Sequence, residues 1–260
     1  MKETVLITGA SSGIGKEFAE IFASKHYRVI LAARSEEKLR VIAKHLKQQY
    51  QTEAVVIAVD LAQSQGPRQL YDAIKGKSID IDVLINNAGI GSYGFLHEQN
   101  VQSELDMIQL NVHALSHLMM LFLPDMVKRN SGRILNLGST TSFYPCPLSA
   151  NYSASKAFVL HLTEAAANEL KGTGVSVTAL CPGATGTEFF RNANMDKQKV
   201  SKTDALMDAK KVAQIGFQAL MKQKPFVVPG FQNWLLAQAP RFFPRHFVAR
   251  ITRSVLEQKL

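Results

Sequence analysis

Tyr152 and Lys156 stand four residues apart in Tyr152-Ser153-Ala154-Ser155-Lys156. On a helix that spacing puts both side chains on one face, about one turn apart. A phenol titrates near pH 10 and is a poor base at neutral pH, but a nearby ammonium stabilises the phenolate. Such a pair gives a proton to an alcohol oxygen or takes one from it. Alone, the spacing is common and mostly structural. Context changes the reading: Ser139 follows Leu135-Asn136-Leu137-Gly138 upstream, where a hydroxyl at the end of an apolar run could hold a substrate carbonyl.

A second group lies near the start, in Thr8-Gly9-Ala10-Ser11-Ser12-Gly13-Ile14-Gly15. Glycine is needed where a backbone turns tightly or approaches a pyrophosphate with no Cβ in the way. The helix that begins there offers free N–H groups and a positive dipole end to phosphate oxygens. An ordinary glycine-rich turn is the plainer alternative. The spacing is G-x-x-x-G-x-G, unlike the general G-x-G-x-x-G fingerprint. No Lys-Ser/Thr pair follows Gly15, as a triphosphate loop would require. A dinucleotide is therefore favoured. About 20 residues on, a dinucleotide fold meets the adenosine ribose, and an acid there would accept from a free 2′-hydroxyl. Here Ala33-Arg34 stands instead, with no acid before Glu36. A guanidinium grips a phosphate bidentately, and Ser11 and Ser12 add hydroxyl donors. The local chemistry points to NADP(H) over NAD(H), against the plainer reading of Arg34 as a solvated strand end.

The elements that must position these residues show in the hydrophobic pattern. Strand-length apolar runs fall at 5–7, 28–33, 54–59, 81–85, 133–137, 175–180 and 226–228. Between them lie helical patterns: from the glycine turn to about 25, then 35–49, 68–74, 103–129, 153–171 and 208–222, with Pro124 predicting a break or kink. The runs are continuous rather than alternating, as strands covered on both faces should be. Strand–helix alternation then predicts an α/β fold: one doubly wound seven-stranded parallel sheet with helices on both faces and ligands at the strands' carboxyl ends. No repeat, low-complexity stretch or linker divides it, so one domain is expected.

Taken together, these residues resemble the short-chain dehydrogenase/reductase family. The match runs from the 8–15 turn through Asp60-Leu61 and Asn86-Asn87-Ala88-Gly89 to Asn111 in the long helix. It continues with Ser139, Tyr152, Lys156 and Pro182-Gly183, with Thr185 and Thr187 beyond. The motifs appear in the family's order over about residues 1–230. The resemblance implies an NADP(H)-dependent oxidoreductase acting on a CH–OH/C=O group, with Gly9, Ser11, Ser12, Gly13, Ile14, Gly15 and Arg34 at the cofactor. Asp60 would bond the adenine with Leu61 beside it, and Asn87, Ala88 and Gly89 would pack on the adenosine. Tyr152 would be the general acid in reduction and Ser139 would orient the carbonyl. Lys156 would hold the nicotinamide ribose and lower the tyrosine pKa, with Asn111 anchoring a water in a proton relay. Pro182, Gly183, Thr185 and Thr187 would line the nicotinamide and its phosphates. A catalytically silent NADP(H)-binding regulator or scaffold is the alternative, disfavoured because such a binder has no chemical need for Tyr152 and Lys156 together.

Composition sets the limits. The 260 residues are 46% hydrophobic and 20% charged, enough for a core and unlike a disordered chain. Cys146 and Cys181, the only cysteines, make no disulfide framework, and no Cys/His group has zinc spacing, so no metal is expected. No apolar run reaches the roughly 20 residues that span a bilayer, and Gly9 arrives too early for a signal peptide. A cytoplasmic protein is expected. The net charge of +9 is uneven: Lys224, Arg241, Arg245, Arg250, Arg253 and Lys259 face only Glu257 after residue 223. A local basic surface is thus expected, with no nucleic-acid partner. Residues 231–260 form a basic amphipathic extension that fits a peripheral membrane contact or packing on the domain or a subunit. Its flavour resembles the subgroup of 3-oxoacyl and lipid-like carbonyl reductases, by analogy. Residues 184–205 stand where the family keeps its substrate lid, with Phe189, Phe190, Met195 and Leu206 as apolar material. Residues 143–148 read as an uncharged pocket wall. Outward apolar residues on the helices at 103–129 and 152–171 fit either core packing or the family's homodimer or homotetramer interface.

Overall fold

Thr4–Thr8 forms β1, buried along its whole length, because Val5, Leu6 and Ile7 are covered by helices on both sides. The computed structural model describes residues 2–189 and 206–257. Around β1 lie β2 (Arg28–Ala33), β3 (Ala54–Ala58), β4 (Val83–Asn86), β5 (Gly132–Leu137), β6 (Val175–Leu180) and β7 (Phe226–Val227). They form one parallel sheet in the order β3-β2-β1-β4-β5-β6-β7, as the apolar runs predicted. The order reverses between β1 and β4, the switch point at whose carboxyl ends a doubly wound sheet binds ligands.

One face is covered by α1 (Gly13–Ser24), α2 (Glu36–Tyr50) and a later helix, α7 (Ala209–Met221). Phe18, Phe22, Leu39 and Leu46 pack there on Ile7, Leu31 and Leu180. The other face carries α3 (Gly66–Lys75), α4 (Val101–Ile108), α5 (Leu115–Lys128) and α6 (Ala150–Glu169), with Leu70, Leu118, Phe122 and Val159 against Leu6, Leu84 and Ile134. After β7 come α8 (Phe231–Gln238) and α9 (Arg245–Glu257).

Two expectations change. The long helix runs from Val101 through Pro124 to Lys128, so Pro124 does not break it. Its irregularity is a π-helical stretch, Gln109–Ala114, between α4 and α5. By length and composition this 28-residue helix could cross a membrane, but Met107, Leu118, Met119, Phe122 and Met126 are buried against the domain, making it a layer helix. Helix α6 begins at Ala150 rather than at 153, placing Tyr152 in its first turn.

At the switch point one hydroxyl ties the two central strands together. Thr8 Oγ1 donates to Ile85 O (3.2 Å) and accepts from the backbone N–H groups of Asn87 and Ala88 (both 3.0 Å). The Asn87 amide returns bonds to Thr8 O and Gly9 O, at 2.9 and 3.2 Å. Thr8→Val leaves those donors unpaired at a buried site, and urea titration is expected to show a loss of about 1–3 kcal/mol.

Candidate active site

The carboxyl ends of the strands open into a cleft of about 1040 Å³ lined by almost every residue singled out from the sequence. Gly15 and Asn111 are absent from its walls because they lie beneath them.

At one end the glycines make room by close packing. A Cβ on Gly15 would sit 2.3 Å from Gly9 O, and one on Gly9 (φ +64°) 2.8 Å from Asn87 Nδ2. Gly13 and Ile14 reach the cleft at the N-terminus of α1, whose first turn holds no acid. Unpaired N–H groups and a positive dipole end there suit an anion. Thr187 closes this region from above, its methyl 2.9 Å from where a Gly13 Cβ would stand. Ser11, Ser12 and Arg34 continue the wall, Arg34 exposed at the end of β2. Beside them stands a cation that sequence reasoning missed: Lys38 lines the same wall and pairs with Glu188 Oε2 at 3.3 Å. Its spacing, one helical turn past Arg34, was the available signal. Further along this wall Asp60 accepts from Ala62 N–H (3.0 Å), and Leu61, Ala88 and Gly89 complete the surface. A glycine cradle, an acid-free helix start and two cations fit a phosphorylated dinucleotide.

At the other end Ser139, Tyr152 and Lys156 come together. Ser139 sits just past β5 and caps the short 3-10 turn Thr140–Phe143, its Oγ accepting from Thr141 N–H at 3.2 Å. Burial pushes the Tyr152 phenol up to about 12, and a hydrogen bond to Ser139 works against that rise. The Lys156 ammonium, 3% exposed, donates to Leu137 O at 2.8 Å and lies 5.8 Å from the Tyr152 ring centre. Burial pulls it down to about 8, while the Cys181 thiol acts in the opposite sense. Ser139 thus lies against the phenol, while the ammonium bonds the β5 carbonyl of Leu137 and stands over the Tyr152 ring. At neutral pH the phenol is protonated.

Asn111 lies behind this group, 1% exposed, within the π-helical stretch. Its amide donates to Ile90 O (2.8 Å) and Ser155 Oγ (3.1 Å), and its Oδ1 accepts from Ile90 N–H (3.0 Å). A Cβ on Gly89 would fall 3.0 Å from Asn111 Oδ1 and 3.4 Å from Lys156 Nζ. The absent side chain at Gly89 lets Asn111 and Lys156 approach the same backbone.

The remaining walls differ from expectation. Of residues 143–148 only Tyr144 and Cys146 reach the cleft; Phe143 turns away to pack on Phe226, centroids 6.1 Å apart. Pro182, Gly183, Thr185 and Thr187 line the floor after β6. Phe189 lies over Tyr152 (centroids 5.5 Å) and fills the space a Gly91 side chain would need. Phe190 and Met195 lie outside the described residues, and Leu206 is half-buried. The wall least expected is the C-terminal one: Leu236, Phe243, Phe247, Ile251 and Val255 face the cleft. Asn233 of α8 fits against Gly183, and the Tyr93 hydroxyl donates to Leu256 O of α9 at 3.0 Å.

A doubly wound sheet with this site at its switch point defines a nucleotide-dependent oxidoreductase architecture. Residues 3–198 match the family model described as short chain dehydrogenase. The chain belongs to the short-chain dehydrogenase family and acts as an oxidoreductase on CH–OH/C=O groups. It is similar to a very-long-chain 3-oxoacyl-CoA reductase of Anas platyrhynchos, 32% identical over 90% of this chain and 75% of the relative. Among solved structures it is similar to a short-chain dehydrogenase from Sphingobium yanoikuyae in complex with NADPH (TM-score 0.83, 30% identity, 92% of this chain and 93% of that one). A bulky-bulky ketone specific alcohol dehydrogenase from Comamonas testosteroni is also similar (TM-score 0.79, 29% identity, 92% of each chain).

The buried ammonium of Lys156 sets a pH signature. Between about 8 and its ordinary 10.5 the unfolded chain binds a proton that the folded chain does not, so stability contributed by this site rises with pH. Lys156→Met removes the buried charge and, without added nucleotide, is expected to raise the melting temperature by about 2–4 °C at pH 7. Thermal scans at pH 7 and pH 9.5 should show the gap to wild type narrowing at the higher pH.

Proposed function

We propose that the protein is an NADP(H)-dependent oxidoreductase that reduces the carbonyl of a hydrophobic substrate, or oxidises the matching alcohol, with Tyr152 as general acid/base. One observation carries the reading: a protonated, half-buried phenol hydrogen-bonded to Ser139 shares a cleft with a glycine cradle and the cations Arg34 and Lys38. When bound, NADPH would supply the hydride.

This chain's residues do the rest. Gly9, Gly13, Ile14 and Gly15 seat the pyrophosphate at the N-terminus of α1, with Ser11, Ser12, Arg34 and Lys38 taking a 2′-phosphate. Asp60, Leu61, Asn87, Ala88 and Gly89 hold the adenosine, and Pro182, Gly183, Thr185 and Thr187 hold the nicotinamide half. Ser139 and Tyr152 donate to the carbonyl oxygen as negative charge develops on it. The phenol then gives up its proton. Lys156 holds the nicotinamide ribose and supports the phenolate that remains, and Asn111 keeps Lys156 and the 89–90 backbone in place for proton return.

The substrate end is walled by Phe189, Leu236, Phe243, Phe247 and Ile251, which suits an apolar carbonyl compound and a role in lipid metabolism. The names of the 3-oxoacyl-CoA and bulky-ketone relatives support that class. Residues 1–230 make the cofactor-binding and catalytic unit, and 231–260 its basic extension. Val101, Leu105, Met120 and Phe158, exposed on α4, α5 and α6, support a homodimer or homotetramer joined through these helices. A cytoplasmic protein with peripheral membrane contact completes the reading.

Tyr152→Phe keeps the ring and loses the proton. It is expected to leave NADPH binding within a few-fold while cutting carbonyl reduction by about 10²–10⁴, read by fluorescence titration and NADPH absorbance. Arg34→Asp is expected to move the NADPH/NADH preference towards NADH by about 10–100-fold, the range of a lost charged hydrogen bond. Comparing kcat/KM for the two cofactors checks it.

A further inference from the structure

After Gly230 the surface changes character. Phe231 is 73% exposed, Trp234 45% and Phe242 80%, and the Phe231 and Trp234 rings stack with centroids 6.1 Å apart. Monomeric proteins rarely leave contiguous apolar surface of this kind open to water. The helix that follows adds to it: α9 buries no residue, although Phe247, Ile251 and Val255 recur every four positions along one face. An amphipathic helix ordinarily hides such a stripe in a core. Here the stripe lines the cleft and remains 40–49% exposed, so the same side chains face both the cleft and solvent.

The charge around this face has one sign. Arg241, Arg245 and Arg250 are exposed and make no ion pair among the described residues; Arg253 pairs with Glu257 at 2.7 Å. A second copy of this chain would bring the same uncompensated guanidinium groups against these, whereas anionic headgroups neutralise them.

We propose that α8 and α9 dock on an anionic lipid surface with the cleft mouth turned into the interface, so that an apolar carbonyl substrate passes from the bilayer to Tyr152 without crossing water. The proposal rests on the reading of the cleft as an apolar-carbonyl site. Phe231, Trp234, Leu235 and Phe242 enter the headgroup–acyl boundary, Arg241, Arg245 and Arg250 meet the phosphates, and the stripe on α9 joins the acyl region to the cleft.

Trp234 is the only tryptophan in the chain and reports directly. The full-length protein saturated with NADP⁺ is titrated with vesicles of phosphatidylcholine alone or mixed with phosphatidylglycerol. A blue shift of its emission and co-sedimentation with the anionic vesicles, both weakened by salt, are expected. Phe231→Ser/Leu235→Ser/Phe242→Ser, which keeps the reporter and touches no residue of the cleft, is expected to weaken vesicle binding about ten-fold or more. Arg241→Gln/Arg245→Gln should do likewise, and both variants should reduce a water-soluble ketone as wild type does. No emission change and no sedimentation with either vesicle, equal binding to both, or a wild-type oligomer that the apolar variant dissociates would overturn the docking. Vesicle binding without any carbonyl turnover would support the docking surface and sink the reductase reading instead.

Discussion

A buried ammonium is costly unless backbone or charge meets it, and the catalytic end of this protein is arranged around one. Lys156 leaves α6, crosses to the carboxyl end of β5 and donates to Leu137 O. That contact fixes the distance between the helix that carries Tyr152 and the strand end that carries Ser139. A side chain at Gly89 would press on the Asn111 amide oxygen at 3.0 Å and reach contact with Nζ. Keeping a charge there costs the fold stability that an apolar side chain of similar length would return.

The π-helical stretch at Gln109–Ala114 is the second device of this kind. An α-helix running unbroken from Val101 to Lys128 would continue a single register past the sheet. One wider turn re-aims Asn111 so that its amide reaches both the Ile90 backbone and Ser155. Local irregularities of this sort cluster at functional sites. The amide holds the β4 loop and α6 together directly behind the reacting groups.

How much of this could be read from the sequence follows from the range of each interaction. Strand runs such as Val29-Ile30-Leu31 and the order of the motifs carried the sheet, because burial on both faces leaves a continuous apolar signature. That the glycine turn, Arg34, Ser139, Tyr152 and Lys156 border one cleft was legible because each follows the carboxyl end of a strand, where a doubly wound sheet opens its crevice. Three features were not. Pro124 drew attention as a breaker, while the helix widens at Gln109–Ala114, where the side-chain partners of Asn111 lie in other elements. Residues 143–148 looked like one wall, but Phe143 prefers the Phe226 ring, a contact no local pattern encodes. The C-terminal wall of the cleft was invisible because folding back of α8 and α9 depends on Asn233 at Gly183 and on the Tyr93–Leu256 bond.

The placement of α9 separates two jobs along the chain. Gly13, Ser139, Tyr152 and Lys156 stand at the ends of elements packed into the domain, while one side of the same cleft is made by α9, which buries no residue. Mutations in that helix can therefore reshape the cleft wall while the core stays intact. Divergence of substrate range among descendants of such a scaffold should concentrate in its final thirty or so residues, where new shapes can be tried at little thermodynamic risk.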